Sequence, residues 1–289
     1  MANHARTSPD TGSLILSGEP ALEYQPLVDL STGRLLGFEA LLRWHHPEEG
    51  FIMPGLLLPW LEANGDIVQL GEWVLAEGCQ QAVGWPKRVQ LAVNLSIVQL
   101  RRGVGSAAVA RAIERSGIEP DRLTVEVTEH ALVEDVAVAD LRAIGSLGVE
   151  LAVDDVGTSW TSFDVLRTMA VNTVKIDRSF VGSLEAQQGV NRLIVETVVS
   201  LAHSEGISTV AEGVETALQS SIVRGFECDA AQGYFFAPPL PIELANQLAT
   251  APDYTFSFEG AGWAARRSAV QDQAAPVSHI PFQMATQAN

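Results

Sequence analysis

The sequence predicts an α/β fold in which one closed barrel of about eight strands is surrounded by helices. Two observations predict it. Short apolar runs alternate with helical patterns along most of the 289 residues, and a polar residue stands at or near the end of one apolar run after another. Such alternation builds parallel βαβ units. An open, doubly wound sheet is the alternative, but it usually has a glycine-rich phosphate turn after its first strand, and this sequence has none.

The first two strand-like runs, residues 22–29 and 35–44, predict an antiparallel hairpin, because Ser31-Thr32-Gly33 between them is typical of a turn. Residues 45–50 (HHPEEG) predict a loop. Adjacent side chains on a strand point to opposite faces, so the two histidines predict no metal site.

After the hairpin, strands and helices alternate strictly. Residues 67–85 illustrate the helical pattern, with apolar positions at Ile67, Leu70, Val74 and Leu75. The predicted strands are 89–95, 123–127, 149–153, 172–176, 207–211 and 227–231. The predicted helices are 54–63, 67–85, 104–116, 133–147, 162–169, 190–204, 216–224 and 241–249.

Composition excludes several classes of protein. The formal charge of −17 argues against a nucleic-acid polymer as partner and against a polybasic membrane anchor. Cys79 and Cys228 stand far apart, without the spacing of metal ligands, and fit a reducing compartment. No apolar run approaches the roughly 20 residues of a membrane span. We therefore expect no membrane segment and a cytoplasmic protein.

The ends of the chain differ from its middle in composition. Residues 1–18 are polar, with Gly, Ser and Pro, and predict a disordered N-terminal arm. Residues 252–289 are rich in Ala, Gln, Ser and Pro without sustained periodicity, and predict a flexible C-terminal tail. The folded domain is expected over residues 19–251.

Functional residues are expected where the strands end. Glu39 alone could belong to a half-exposed strand, but the same feature recurs in strand after strand. In a βα barrel these ends lie on one rim, where active sites are built. The polar residues at the strand ends are Asn94, Glu126, Asp154, Asp155, Lys175, Glu212 and Gln232, whereas Glu39 lies inside its strand.

Most of these side chains offer oxygen donors, which suit hard cations such as Mg²⁺, Mn²⁺ or Ca²⁺. An Asp pair such as Asp154-Asp155 can bridge two ions, although alone it would be typical of an ordinary turn. Lys175 among acids could orient a water or stabilise a developing anion, rather than being a solvated surface lysine. The pattern favours attack by an activated water on an anionic substrate, with a phosphate ester as the natural candidate.

At these residues the sequence resembles the EAL family of bacterial cyclic di-GMP phosphodiesterases, from about residue 22 to 248. The resemblance rests on the following motifs: YQP at 24–26, EALLRW at 39–44, NLS at 94–96, EVTE at 126–129, DD at 154–155, KID at 175–177, AEGVE at 211–215 and QGY at 232–234. It implies a TIM-type (β/α)8 barrel with an antiparallel first strand. It also implies hydrolysis of cyclic di-GMP to linear pGpG with Mg²⁺ or Mn²⁺, two ions per site.

The resemblance also implies roles for residues at matching positions. The first metal would be held by Glu39, Asn94, Glu126 and Asp154, and the second by Asp154, Asp155 and Glu212. The catalytic residues would be Lys175, which positions the water, with Glu212 and Glu39. The remaining implied residues are Gln25 at a guanine, Arg43 at a phosphate, Gln232 at a site water, Glu129 as anchor of the loop after Asp155, and Asp177 and Glu215 close to the site.

One loop departs from the family pattern. The family's DDFGTGYSS reads DDVGTSWTS here, at residues 154–162. Ser159 replaces a glycine, which would strain the loop by about 1 kcal/mol if that position needs a positive φ. Because the family couples this loop to dimer packing, a homodimer is expected, but its coupling to activity is in doubt.

Three functions are therefore weighed. An active phosphodiesterase is favoured because every ligand type and Lys175 are present. A cyclic di-GMP receptor that does not cleave its ligand is the alternative that the altered loop supports. A metal-assisted lyase with Lys175 as base is a third, and it would need a substrate with an acidic carbon.

Overall fold

The computed structural model describes residues 18–48, 50–157, 163–185, 189–251 and 254–258, and in it an eight-stranded barrel is surrounded by helices. The strands are β1 (Glu19–Asp29), β2 (Leu35–His46), β3 (Gly50–Ile52), β4 (Gln90–Asn94), β5 (Leu123–Thr128), β6 (Glu150–Val156), β7 (Thr173–Ile176), β8 (Ser208–Ala211) and β9 (Ala230–Ala231). Their order is β1-β9-β8-β7-β6-β5-β4-β2, and a β1–β2 pairing closes the barrel. The predicted fold class is confirmed.

Strand β1 runs against its neighbours. It pairs antiparallel with both β2 and β9, whereas β2 and β4 through β9 pair parallel to one another. This confirms the antiparallel first strand. Strand β3 adds a short antiparallel extension to β2 outside the barrel.

The strands are connected by helices of very different length. These are α1 (Pro54–Asn64), α2 (Ile67–Ala82), α3 (Ile97–Arg101), α4 (Gly105–Ser116), α5 (Asp135–Gly145), α6 (Phe163–Thr168), α7 (Arg178–Val181), α8 (Val190–Ser204), α9 (Ala217–Gly225) and α10 (Ile242–Thr250), with 3₁₀ turns at Pro120–Arg122 and Glu129–Val133. Capping boxes fix the starts of α3 and α9, at Ser96 and Thr216. The predicted helices are present, and the short α3 and α7 are additional.

The main core lies between the barrel strands and the helices, and the barrel interior is packed less fully. Alternate strand residues such as Leu91, Val93 and Val125 point outward and are fully buried. Several inward positions carry small side chains, among them Ala92 and Ala152, and a cavity of about 340 Å³ lies there. In most barrels of this kind, bulky branched residues fill the interior.

Gly37 allows β2 and β4 to approach closely. A Cβ atom at this position would lie 2.5 Å from the carbonyl oxygen of Gln90, which is too close for any other residue. The contact sets the register in which Glu39 lies beside Ala92. A glycine two residues before Glu39 thus helps to position that carboxylate.

Some predicted boundaries were wrong. Residues 45 and 46 do not belong to a loop, because His45 and His46 continue β2 and pair with β3. His45 is exposed and His46 buried, as expected for adjacent strand residues. At the other end of the chain, Phe256 is buried and its N–H donates to the carbonyl of Gly33. The packing of residues 254–258 thus extends the folded part beyond 251.

Residues 1–17 of the predicted arm (1–18), and residues 252–253 and 259–289 of the predicted tail (252–289), lie outside the described residues. Among the residues that the structure does describe, no helix combines the length and apolarity needed to cross a membrane.

Candidate functional site

The polar strand-end residues converge on one rim of the barrel. Pairing in register places Asn94 of β4 beside Glu126 of β5, and Thr128 of β5 beside Asp154 of β6. Glu39 lies on the lumen side of β2, and Lys175 is near the end of β7. Side chains separated by up to 193 residues in sequence therefore meet in one cluster.

The amine of Lys175 is the centre of this cluster. Its Nζ lies 2.7 Å from Glu126 Oε2, 2.7 Å from Glu212 Oε1 and 3.1 Å from Glu39 Oε2. A fourth carboxylate, Asp154, is 3.9 Å away. The lysine side chain is 2% exposed, so its charge is stabilised by these carboxylates rather than by water.

Two amides connect the carboxylates further. Asn94 donates from Nδ2 to Glu39 over 2.6 Å. Gln232 donates from Nε2 both to Glu39, over 2.7 Å, and to Glu212, over 2.9 Å. The structure thus brings together seven of the predicted site residues: Glu39, Asn94, Glu126, Asp154, Lys175, Glu212 and Gln232.

The charges of the cluster do not balance. Burial, together with Glu39 and Asp154, raises the pKa of Glu126 well above its ordinary value, although Lys175 opposes this. Burial also raises the pKa of Glu212, to about 7. Burial acts in the same direction on Glu39, but Lys175, Gln232 and Asn94 outweigh it and lower its pKa. The single ammonium group of Lys175 cannot neutralise the four carboxylates around it.

A bulge in β6 places two consecutive aspartates at the rim. Val153 pairs with Val174 and Val156 with Ile176, so β6 has one residue more than β7 over this stretch. Asp155 takes a left-handed conformation with φ 59°, and its N–H bonds to Asp154 Oδ1. Burial raises the pKa of Asp155, and the charges of Asp154 and Asp177 raise it further. The strained backbone lets both carboxylates reach one region.

A second pocket adjoins Asp155 beside the rim. It has a volume of about 400 Å³ and is lined by Glu129, Ser96 and Glu62 among others. Glu129 is buried and lines this pocket with Asp155, which agrees with a role in the following loop. Residues 158–162 of that loop, with the Ser159 departure, lie outside the described residues.

Three other predicted residues, Asp177, Glu215 and Gln25, lie around the cluster rather than in it. Asp177 accepts a hydrogen bond from the N–H of Ser179 and so caps α7. Glu215 is exposed at the turn before α9. Gln25 of β1 pairs directly with Glu39 of β2. The structure brings none of these three side chains into hydrogen bonds with Lys175 in the part of the chain that it describes.

Sequence reasoning missed Glu23. Its carboxylate accepts a hydrogen bond from Nε of Arg43 over 2.5 Å. The available signal was the alternation of β1, because Glu23 precedes Gln25 by two residues and therefore shares its face. The prediction of a substrate-binding Arg43 did not include this partner.

A divalent cation fits the chemistry of the cluster. In the described part of the chain, however, no three or more His, Cys, Asp or Glu side chains are already arranged as a metal centre. Instead, the Lys175 amine lies between the carboxylates. The donors are carboxylate oxygens and one amide, the set that hard cations prefer. Burial and neighbouring acids raise the pKa of Glu126 and of Glu212, and a further cation would oppose both effects.

Comparison with known proteins gives consistent results. The family model for the EAL domain matches residues 12–239. The chain is 40% identical over 236 residues to an uncharacterized protein, y4lL, of Sinorhizobium fredii, covering 81% of this chain and 28% of that protein. It is 38% identical over 228 residues to the bifunctional diguanylate cyclase/cyclic di-GMP phosphodiesterase MucR of Pseudomonas aeruginosa, covering 77% of this chain and 33% of that protein.

Among solved structures, the PaMucR phosphodiesterase in complex with c-di-GMP superposes with a TM-score of 0.73 at 37% identity, covering 77% of this chain and 92% of that one. This chain spans only about a third of the length of the curated relatives, 28% of one and 33% of the other. The family match and the shared fold together establish that the chain belongs to the EAL domain family.

Proposed function

We propose that this domain is a metal-dependent phosphodiesterase that hydrolyses cyclic di-GMP to linear pGpG. One observation supports it above the others: Lys175 is surrounded by four carboxylates, Glu39, Glu126, Asp154 and Glu212, at the C-terminal rim of the barrel. The relative MucR is named as a cyclic di-GMP phosphodiesterase, and a c-di-GMP complex shares the fold.

The cluster and the neighbouring Asp155 would offer oxygen donors to two cations. Glu39, Asn94, Glu126 and Asp154 would hold one, and Asp154, Asp155 and Glu212 the other, with Mg²⁺ or Mn²⁺ as the ions. When bound, such ions supply charge that stabilises the attacking and leaving oxygens of a phosphate ester. The bulge at Asp154 and Asp155 supports this division, because it lets neighbouring carboxylates face the same space.

The protein's own groups would orient water and substrate. The Lys175 ammonium, fixed by several carboxylates, would hold a water for in-line attack and stabilise developing negative charge. Glu212 is the candidate to accept the proton of that water, since its Oε1 lies 2.7 Å from the Lys175 amine that would hold the water. Gln232 would orient a site water, Arg43 would bind a phosphate, and Gln25 would contact a guanine.

The decisive experiment incubates purified protein with cyclic di-GMP and either Mg²⁺ or Mn²⁺ and separates the products. We expect pGpG, and only when a divalent cation is present. Glu39→Ala should abolish turnover, whereas Glu150→Gln, at the opposite end of the lumen, should leave it intact. Folded protein that yields no pGpG with either ion would refute the proposal.

A receptor without catalysis is the second candidate, and the sequence of the loop after Asp155 supports it. Val156, Ser159, Trp160 and Thr161 all depart from the family pattern. Calorimetry run beside the turnover assay separates the two functions. Binding of cyclic di-GMP without pGpG formation identifies a receptor, and binding with turnover identifies an enzyme.

A homodimer and a cytoplasmic location complete the proposed function. Size-exclusion chromatography with light scattering tests the dimer on purified protein. A monomer that turns over cyclic di-GMP at full rate would contradict a coupling between dimer packing and activity.

A further inference from the structure

Arg43 lies on the face of β2 that carries the acidic cluster. Leu42 and Trp44 pack against the outer core, so Glu39 and Arg43, at alternate positions, face the lumen side. In the β1–β2 register, Arg43 pairs with Ala21, and Glu23 pairs with Leu41. Glu23 is therefore a diagonal neighbour of Arg43 on this face.

Three contacts fix the guanidinium group of Arg43. Its Nε donates to Glu23 Oε2 over 2.5 Å, and its Nη1 donates to the carbonyl of Leu42 over 2.9 Å. Its Cζ lies 5.8 Å from the centroid of the Phe51 ring, within the range of a cation–π contact. In the described part of the chain, Nη2 makes no hydrogen bond and remains for a ligand.

Glu23 also changes the charge that a ligand meets. Its side chain is 34% exposed and that of Arg43 16%, so the pair is screened only in part. An anion that approaches Arg43 is attracted by the guanidinium but repelled by the carboxylate beside it. Glu23 therefore has two effects of opposite sign, one on orientation and one on charge.

We propose that Glu23 is a positioning residue that holds Arg43 ready for a phosphate while it weakens the attraction of Arg43 for anions. The inference rests on the proposed function, in which Arg43 binds a phosphate of cyclic di-GMP. Because the phosphate at Arg43 is negatively charged in the bound substrate and in the transition state alike, the weakening acts on both. Uniform binding of this kind changes KM and leaves kcat unaltered.

Two substitutions separate the effects. Glu23→Gln retains an oxygen that can accept the Nε hydrogen bond but removes the charge, whereas Glu23→Ala removes both. We expect Glu23→Gln to bind cyclic di-GMP about two- to fivefold more tightly than the natural protein, as for a partly exposed charge. Glu23→Gln should also bind cyclic di-GMP more tightly than Glu23→Ala, because only Glu23→Gln keeps the hydrogen bond to Arg43.

The measurement is titration calorimetry with cyclic di-GMP at low and high salt, beside KM and kcat. The gain of Glu23→Gln should shrink at high salt, and its kcat should equal that of the natural protein. Glu19→Gln, an exposed residue on the same strand, makes the same charge change and should alter nothing. Equal affinities of Glu23→Gln and the natural protein overturn the charge effect, and equal affinities of Glu23→Gln and Glu23→Ala overturn the positioning effect.

An experiment without ligand distinguishes a failure of the positioning role of Glu23 from a failure of the proposed function. The Arg43 Nε–H should exchange slowly with solvent, by ¹⁵N NMR, in the natural protein and in Glu23→Gln, and rapidly in Glu23→Ala. Rapid exchange in the natural protein overturns the positioning role even if pGpG is formed. A natural protein with slow exchange that binds no cyclic di-GMP refutes the proposed function, and the affinity effect with it, while the contact itself stands.

Discussion

Carboxylates at the two ends of the barrel lie in different environments, which shift their pKa values differently. At the C-terminal rim, burial raises the pKa of Glu126 and of Glu212, and one ammonium is shared among several acids. At the opposite end, burial acts on Asp29 and Asp229 as well, but hydrogen bonds outweigh it and lower the pKa of both. Ser31 and Thr32 donate to Asp29, and His203 and Thr209 lie within hydrogen-bonding distance of Asp229.

This difference separates acids that support the fold from acids that oppose it. A carboxylate whose charged form accepts several hydrogen bonds stabilises the folded state at neutral pH. A buried carboxylate with a raised pKa destabilises it, and such groups concentrate at functional sites. The C-terminal rim is therefore where stability is lost in favour of function.

The largest expected effect follows from neutralising an acid of the C-terminal rim. Glu126→Gln replaces a carboxyl group, whose charged form is disfavoured by burial, with an amide of the same shape. We expect turnover of cyclic di-GMP to fall by at least about a thousandfold, and the metal-free protein to become more stable by about 1 kcal/mol. Turnover assays and urea unfolding in chelator measure both changes. A large loss of stability would contradict this view of Glu126.

Metal removal should reveal the same imbalance through its pH dependence. The folded-state pKa of Glu212 is about 7, above its ordinary 4.5, so its stabilising contribution is complete below 4.5 and is lost as the pH rises through 7. The melting temperature in chelator should therefore fall between pH 5 and 8 by a few degrees, since roughly 2–4 °C corresponds to 1 kcal/mol in a domain of this size.

Added Mg²⁺ should restore this stability, more at pH 8 than at pH 5, because a cation offsets the charge that forms as Glu212 ionises. Glu212→Gln is the control, and it should reduce both the pH dependence and the Mg²⁺ effect. Equal stabilisation by Mg²⁺ at both pH values would count against an excess of negative charge in the cluster.

At the other end of the barrel we expect an effect of opposite sign, on stability alone. Asp229→Asn weakens the hydrogen bonds with His203 and Thr209, and should lower the free energy of unfolding at pH 7 by about 1–2 kcal/mol. Because the pKa of Asp229 is lowered, this contribution exists above 3.8 and disappears as the pH falls through the folded-state value. Urea unfolding at pH 7 and at about pH 2, below the folded-state pKa, tests it, and turnover should not change.

The functional end of the barrel could largely be predicted from the sequence, because strand periodicity is short-range information. Asn94 and Glu126 each lie at or near the end of a run of apolar residues, and in a parallel barrel the ends of such runs must meet. The convergence of the acids with Lys175 was predicted in this way. The resemblance to a known family supplied the individual roles, which periodicity alone does not give.

What could not be predicted depends on contacts between distant segments. The bulge at Asp154 and Asp155 arises from the register between β6 and β7, which no local pattern specifies. The pairing of Glu23 with Arg43 depends likewise on the register of the hairpin. Strand β3 was missed because three residues, Gly50–Ile52, are too few to show alternation.

Glu150 differs from Asp29 and Asp229 at the same end of the barrel, and its substitution should have the smallest effect. It lies at the end of the lumen opposite the cluster, yet burial raises its pKa, although Gln90 and Thr124 oppose this. A raised pKa means that the charged form is disfavoured in the folded state at neutral pH. Glu150→Gln should therefore stabilise the protein at pH 7.5 by about 0.5 kcal/mol, and the gain should vanish near pH 4.

Turnover should remain unchanged in Glu150→Gln, which separates it from Glu126→Gln, where the gain in stability accompanies a loss of function. Glu114→Gln, at an exposed position of α4, is the matched control for the change in net charge and should alter neither quantity. If Glu150→Gln reduced turnover as strongly as Glu126→Gln, a raised pKa would no longer distinguish the two ends of the barrel, and Glu150 would belong to the functional site.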